Sequence, residues 1–191
     1  MMKESDTLGS NTYIADDAKR MLIEGNRKYA SSKAASIDAS DEVMKASVSG
    51  QEPYAVIIAC SDSRVIPEAI FSAGIGDLFV IRVAGNVIDA SQLGSIEYAV
   101  EHLGTGLVVV LGHDRCGAVD SALHHHNSGY TKLITDEILK AVGSEKDEEK
   151  ACCLNVMHSC KVIEDNLHTK SDGVKVMGAI YHLESGLVEF L

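Results

Sequence analysis

The sequence predicts an α/β fold with a mainly parallel sheet flanked by helices. Three observations carry this. Tyr54–Ala59, Leu78–Val83 and Leu107–Leu111 are continuous apolar runs of strand length, the pattern of strands covered on both faces. Stretches with apolar residues at helical spacing lie between and after them. Strands that alternate with helices pair in parallel through crossovers.

In order along the chain, residues 1–13 read as a loose lead. Ile14, Ala18, Met21, Leu22 and Tyr29 share a helical face, and Asp16 and Asp17 sit near its start, where the helix dipole favours acids. The Ser/Ala-rich stretch 31–40 reads as a linker, followed by a short helix over Asp41–Val48. After the first two strands, Leu93, Ile96, Val100 and Leu103 mark a helix. After the third, Leu154, Met157, Val162 and Ile163 mark a long one that ends near Leu167. Ser144–Lys150 is a charged, solvated lead into it. Val174–Tyr181 is a fourth strand, weakened by Gly178. Glu184-Ser185-Gly186 then makes a turn, and Leu187–Phe190 returns as an antiparallel edge strand. The 191 residues form one domain, with an N-terminal helical arm over 1–50 and an α/β core over 51–191.

Charge and composition narrow the function. A formal net charge of −11 argues against a general affinity for nucleic acid, which needs clustered Lys and Arg. No signal-peptide pattern and no membrane-length apolar run is visible, so the expected location is cytoplasmic. The five cysteines are an odd number, which does not suit a disulfide framework. They read as metal ligands or buried thiols, with Cys152, Cys153 and Cys160 as helix-packing thiols. His124-His125-His126 reads as an exposed helix end.

Two segments carry chemistry. Cys60-Ser61-Asp62-Ser63-Arg64 directly follows the first strand, and His113-Asp114-Arg115-Cys116-Gly117 follows the third. Both lie at carboxyl ends of strands, where open α/β sheets bind ligands. Taken singly, each Cys or His is an ordinary buried or loop residue. If the two strands are neighbours, Cys60, His113 and Cys116 converge as a zinc set with one position left for water. Two thiolates cancel the charge of the ion, so a neighbour must help to hold hydroxide. Asp62 suits that role with Arg64 keeping it ionised, or it ligates the metal itself and closes the fourth position.

These segments resemble the β-class carbonic anhydrases. The motifs are Cys60-Ser-Asp-Ser-Arg-Val65, Gly76-Asp-Leu-Phe-Val-Ile-Arg82, Ala84-Gly-Asn86, Gly94-Ser-Ile-Glu-Tyr-Ala-Val100 and Gly112-His-Asp-Arg-Cys-Gly117, in that order. The resemblance implies one Zn²⁺ per chain on Cys60, His113 and Cys116, with Asp62 and Arg64 as the catalytic dyad. It implies that Gln51, Phe79, Ala84, Tyr98 and Gly117 line the substrate pocket, partly from a neighbouring subunit. The implied reaction is attack of zinc-bound hydroxide on carbon dioxide to give bicarbonate. The implied fold is a four-stranded parallel sheet with one antiparallel edge strand. The assembly would be a dimer or tetramer in which the N-terminal helices embrace the partner. A hydrolase of carbonyl sulfide or carbon disulfide on the same metal set, and a non-enzymatic zinc scaffold, are the alternatives. The chain contains no Trp, unlike the branch that regulates itself through a Trp-lined bicarbonate pocket.

Overall fold

The computed structural model describes residues 14–32, 37–126, 128–167 and 173–191. The reading of residues 1–13 and part of the 31–40 linker lies outside these. The sheet contains β1 (Ala55–Ala59), β2 (Leu78–Arg82), β3 (Leu107–His113), β4 (Lys175–Tyr181) and β5 (Val188–Phe190) in the spatial order β2-β1-β3-β4-β5. The first four are mutually parallel and β5 is antiparallel to β4. This is the expected architecture. The chain leaves β1 toward one side for β2 and returns to the other side for β3. The switch point of the sheet therefore lies between β1 and β3, whose register pairs Ala59 with Leu111.

The helices are α1 (Ala15–Ser32), α2 (Asp41–Ser47), α3 (Pro67–Ile70), α4 (Ala90–Leu103), α5 (Gly117–Leu123), α6 (Thr131–Val142) and α7 (Glu148–Asn166), with a 3-10 turn at Ala84–Asn86. Strand alternation sorts the core into two layers. Val56, Ile58, Val108 and Val110 face α4, α5, α6 and α7. Ala55, Ile57, Ala59, Leu107, Val109 and Leu111 face α1 and α3. Full burial of each such aliphatic side chain stabilises by roughly 1.5–3 kcal/mol, so both layers are needed.

The first layer is set by α7. Its buried stripe is Ala151, Cys152, Asn155, Val156, Ser159 and Ile163, whereas Leu154 and Met157, expected on that face, are 36% and 58% exposed. The reason lies in the sheet. A Cβ on Gly112 of β3 or Gly178 of β4 would come within 2.4 and 2.7 Å of Val156. The two glycines let the helix sit directly on the strands, and only small or branched side chains fit between. Gly178 thus does not weaken β4, which runs unbroken from Lys175 to Tyr181. It is where the helix docks.

The second layer corrects the reading of α1. The helix docks on its own sheet through Ala15, Ala18, Leu22 and Asn26, and Ile14 is 68% exposed. A Cβ on Gly25 would lie 1.8 Å from the Phe71 carbonyl oxygen, so the helix backbone rests on the end of α3. Asn26 is buried. Its Nδ2 donates to the carbonyls of Ile70 (3.2 Å) and Gly186 (2.9 Å), and its Oδ1 accepts from the Val188 N–H (2.9 Å). α2, by contrast, buries no residue.

Candidate metal centre

Cys60 follows β1, His113 ends β3, and Cys116 caps the N-terminus of α5. Because β1 and β3 are neighbours, the three converge as buried residues whose ligand atoms all lie within 4.8 Å of one another. The two sulfurs are 4.0 Å apart. That is twice a disulfide bond, but two thiolates about 2.3 Å from a tetrahedral zinc would stand about 3.8 Å apart.

The donor set also fits chemically. His113 Nδ1 donates to the Asp114 carbonyl at 2.8 Å, which fixes the tautomer and leaves a lone pair on Nε2. That Nε2 is buried and has no hydrogen-bond partner among the described residues. The Cys60 thiol is held far below its usual range. Its largest cause is the Cys116 thiol donating toward it, and the neighbouring His113 ring and the N–H groups of Asp62 and Gly85 add to this against the effect of burial. Cys116, the donor of the pair, is pushed up. Both sulfurs must be deprotonated to act as ligands, and a divalent cation favours that on binding. An orphaned imidazole nitrogen beside two such sulfurs fits zinc.

Asp62 lies at the rim. Its Oδ1 accepts from the Arg64 backbone N–H and Nε, both at 2.9 Å, and its Oδ2 from Arg64 Nη2 at 2.7 Å. This bidentate pair holds the Asp62 carboxyl well below the usual carboxylate range. Oδ2 is 3.9 Å from His113 Nε2, so the carboxylate faces the place where the ligand atoms meet. Arg64 Nη2 also donates to the Arg115 carbonyl (3.0 Å), tying the two motif loops together. An open cleft of about 580 Å³, lined by Arg64, Arg115, Tyr181, Leu183 and Glu184, adjoins the dyad.

Ala84 is exposed in the turn whose next residue, Gly85, donates its N–H to Cys60 Sγ at 3.3 Å. Gly117 opens α5 beside Cys116 and is exposed. The remaining expected residues are elsewhere in the same chain. Gln51 precedes β1 and is exposed, on the side of the strand opposite to the end that leads into Cys60. Phe79 pairs in register with Val56, and its ring lies 6.2 Å from that of Tyr98, which is 47% exposed.

Sequence reasoning missed several supporting groups. Arg82 donates to the carbonyls of Cys60 (3.2 Å) and Asp62 (2.7 Å) and so shapes the first motif loop. Its motif was visible, but not its direction. Asn155 and Ser159 reach the 3-10 turn from α7, and nothing in the sequence signals that.

The carbonic anhydrase family profile matches residues 55–188. Carbonic anhydrase 2 of Mycobacterium tuberculosis is 49% identical over 130 residues, covering 65% of this chain and 63% of that protein, so the match spans less than two thirds of the relative. The carbonic anhydrase of Mycolicibacterium smegmatis is 36% identical over 189 residues, covering 90% of this chain and 91% of that one. Among solved structures, a β-carbonic anhydrase of Coccomyxa superposes with a TM-score of 0.66 at 30% identity, covering 89% of this chain and 84% of that one.

Proposed function

We propose a function that proceeds from the family: the chain belongs to the β-class carbonic anhydrases, and its site interconverts carbon dioxide and bicarbonate. The observation that supports this most is the pairing of a Cys60–His113–Cys116 donor set with a bidentate Asp62–Arg64 pair at its edge. A purely structural metal site needs no such dyad. Zinc, when bound, acidifies water and supplies hydroxide near neutral pH. Cys60, His113 and Cys116 would hold the ion, and Asp62 would accept a hydrogen bond from the nucleophile beside it and turn that nucleophile toward carbon dioxide. Arg64 keeps Asp62 ionised and turned toward the site, so Asp62 acts as acceptor rather than ligand. Gly117, at the start of α5, offers its backbone N–H to a substrate oxygen.

The pocket is completed by a second copy of the chain. Gln51, Phe79 and Tyr98 lie far from Cys60 within one chain. Strand β2 forms an edge of the sheet whose apolar residues Leu78–Ile81 are only half-buried, and Ile75 and Tyr98 beside it are 39% and 47% exposed. An apolar edge of this kind requires cover. A dimer brings the partner's copies of these residues to each metal, and dimers can pair further. No helix among the described residues is long and apolar enough to cross a membrane. A reducing cytoplasmic location suits the five free thiols.

Stopped-flow hydration of carbon dioxide tests the reading, with carbonyl sulfide assayed in parallel and light scattering on the same sample. We expect about one zinc per chain and rapid hydration. In Cys116→Ala we expect a loss of zinc affinity beyond the roughly 10–100-fold that an outer partner costs, and no activity. Zinc-loaded dimer without hydration activity, or full zinc content in the variant, would overturn it.

A further inference from the structure

Helix α7 contributes no metal ligand, yet its buried stripe is polar where it meets the site. Val156 wedges against Gly112 and Gly178, which fixes the height and rotation of the helix on the sheet. Asn155, 1% exposed, then donates its Nδ2 to the Gly85 carbonyl at 2.7 Å. One turn on, Ser159, 2% exposed, donates its hydroxyl to the Asn86 carbonyl at 3.1 Å. At the start of the stripe, buried Cys152 packs in the same core cluster as Cys116.

The turn that Asn155 grips is unfavourable on its own. Gly85 has φ of 65° and Asn86 has φ of 45°, the left-handed region, and Asn86 pays for it without the freedom of glycine. A Cβ at Gly85 would meet Ile138 at 2.9 Å and Ala118 at 3.1 Å. A backbone in this state persists only where its surroundings over-determine it. The two peptides flanking the Gly85 Cα have different tasks. The one after it offers its carbonyl to Asn155, and the one before it offers its N–H to Cys60 Sγ at 3.3 Å. Fixing the first fixes the second. Stability alone does not explain this arrangement. Asn155 Oδ1 and Asn86 Nδ2 are buried without partners among the described residues, which an apolar stripe would avoid.

We propose that Asn155 is a positioning residue for the ligand Cys60, acting through the Gly85 peptide, with Ser159 as its second hold on the turn. The inference rests on Cys60, His113 and Cys116 being the metal site. Hydrogen bonds to a ligating sulfur and their supports govern how tightly the metal is kept, so the effect is read in metal retention.

The experiment measures zinc release to a competing chelator and the thiolate-to-cobalt charge-transfer band of the Co(II)-substituted protein, with thermal melting alongside. The variants are Asn155→Ala, Asn155→Asp, Ser159→Ala and Asn26→Ala. Asn26 is the control: a buried asparagine that holds a helix to loops on the opposite face of the sheet. Asn155→Ala should release zinc roughly 10–100-fold faster and shift the cobalt band, and Asn155→Asp, which keeps the shape but lacks the donor, should do the same. Ser159→Ala should show the same change at a smaller size, on the order of threefold. Should Asn155→Ala fail to fold, Ser159→Ala carries the test. Asn26→Ala should melt earlier with its zinc release and band unchanged. If the Asn155 and Ser159 variants keep wild-type release and spectrum and differ only in melting, the proposal is wrong while the metal site stands. A wild-type protein that binds no zinc would overturn the site itself.

Discussion

On each face of the sheet a helix carries a buried asparagine, Asn26 in α1 and Asn155 in α7, and the two serve different ends. On the α1 face, Asn26 makes three hydrogen bonds to Ile70, Gly186 and Val188, and each joins a helix to the ends of other elements. The buried cluster around it is aliphatic and aromatic, without a thiol. On the α7 face, Asn155 makes one hydrogen bond, leaves its carbonyl oxygen unpaired, and sits in a cluster that includes Cys60, Cys116 and Cys152. The satisfied asparagine locks a fold. The half-satisfied one holds the turn whose Gly85 N–H reaches the Cys60 sulfur. Among the described residues, the buried side-chain atoms without partners belong to Asn86, Asn155 and His113, on the α7 side and at the candidate site, and none lies around Asn26.

The largest effect that sharpens this contrast lies at the dyad. Asp62→Ala and Arg64→Ala should each reduce carbon dioxide hydration by about 10²-fold or more, the usual scale for a group that handles a proton or orients the nucleophile. Zinc content and circular dichroism should stay as in the wild type, since Arg64 is exposed and Asp62 belongs to neither core layer. Arg64→Lys should fail to rescue, because an ammonium cannot reproduce the two-point pairing. Hydration near the wild-type rate in both alanine variants would remove the dyad from the mechanism.

A middle-sized effect separates the two helix contacts. Gly25→Ala should cost about 3 kcal/mol, because the new methyl meets a backbone carbonyl oxygen of Phe71 that has nowhere to go. Gly112→Ala should cost about 1–3 kcal/mol, because it meets the Val156 side chain. Adding Val156→Ala should recover part of the second loss, with a coupling of about 1 kcal/mol in a double-mutant cycle. Only Gly112→Ala should also speed zinc release, since it lifts the helix that carries Asn155. Equal zinc release in both glycine variants, measured with their melting curves, would mean that the faces are not mechanically distinct.

How much of this the sequence revealed follows from the range of each interaction. Tyr54–Ala59 and Leu107–Leu111 were legible as strands because burial on both faces leaves a continuous apolar run. The donor set was legible because Cys60 and His113 lie at the ends of those runs and Cys116 only three residues on. The inward face of α7 was not. Leu154 and Met157 are large apolar residues but lie outside, because Gly112 and Gly178 draw the helix too close for long side chains there. The Asn155–Gly85 bond joins residues 70 apart through a neutral amide and a carbonyl, which leaves no trace in composition or spacing. The docking of α1 was hidden for the same reason: Gly25 and Asn26 look like interruptions of an amphipathic helix and are its anchors.

The smallest effect belongs to the α1 face and depends on pH. Lys175, the first residue of β4, donates to Asp16 in the first turn of α1 at 2.7 Å. That hydrogen bond, with the charge of Lys175 behind it, lowers the Asp16 pKa in the folded protein. A lowered folded value means that the unfolded chain binds the proton more readily. The contribution is therefore complete above the ordinary carboxylate value of about 3.9 and is lost as the pH falls through the lower folded value. Asp16→Asn should melt slightly earlier than the wild type at pH 7, and the gap should close progressively below about pH 4. Added salt should shrink it as well, because the Asp16 and Lys175 side chains are 67% and 46% exposed and screening reaches them. Zinc release should not change at any pH, since the pair tethers α1 to the strand end opposite to the one that carries His113. A melting gap that stays constant from pH 7 to 3 would show that Asp16 acts through something other than its charge, such as the start of the helix. A gap that closes while zinc release also rises would show that the two faces communicate.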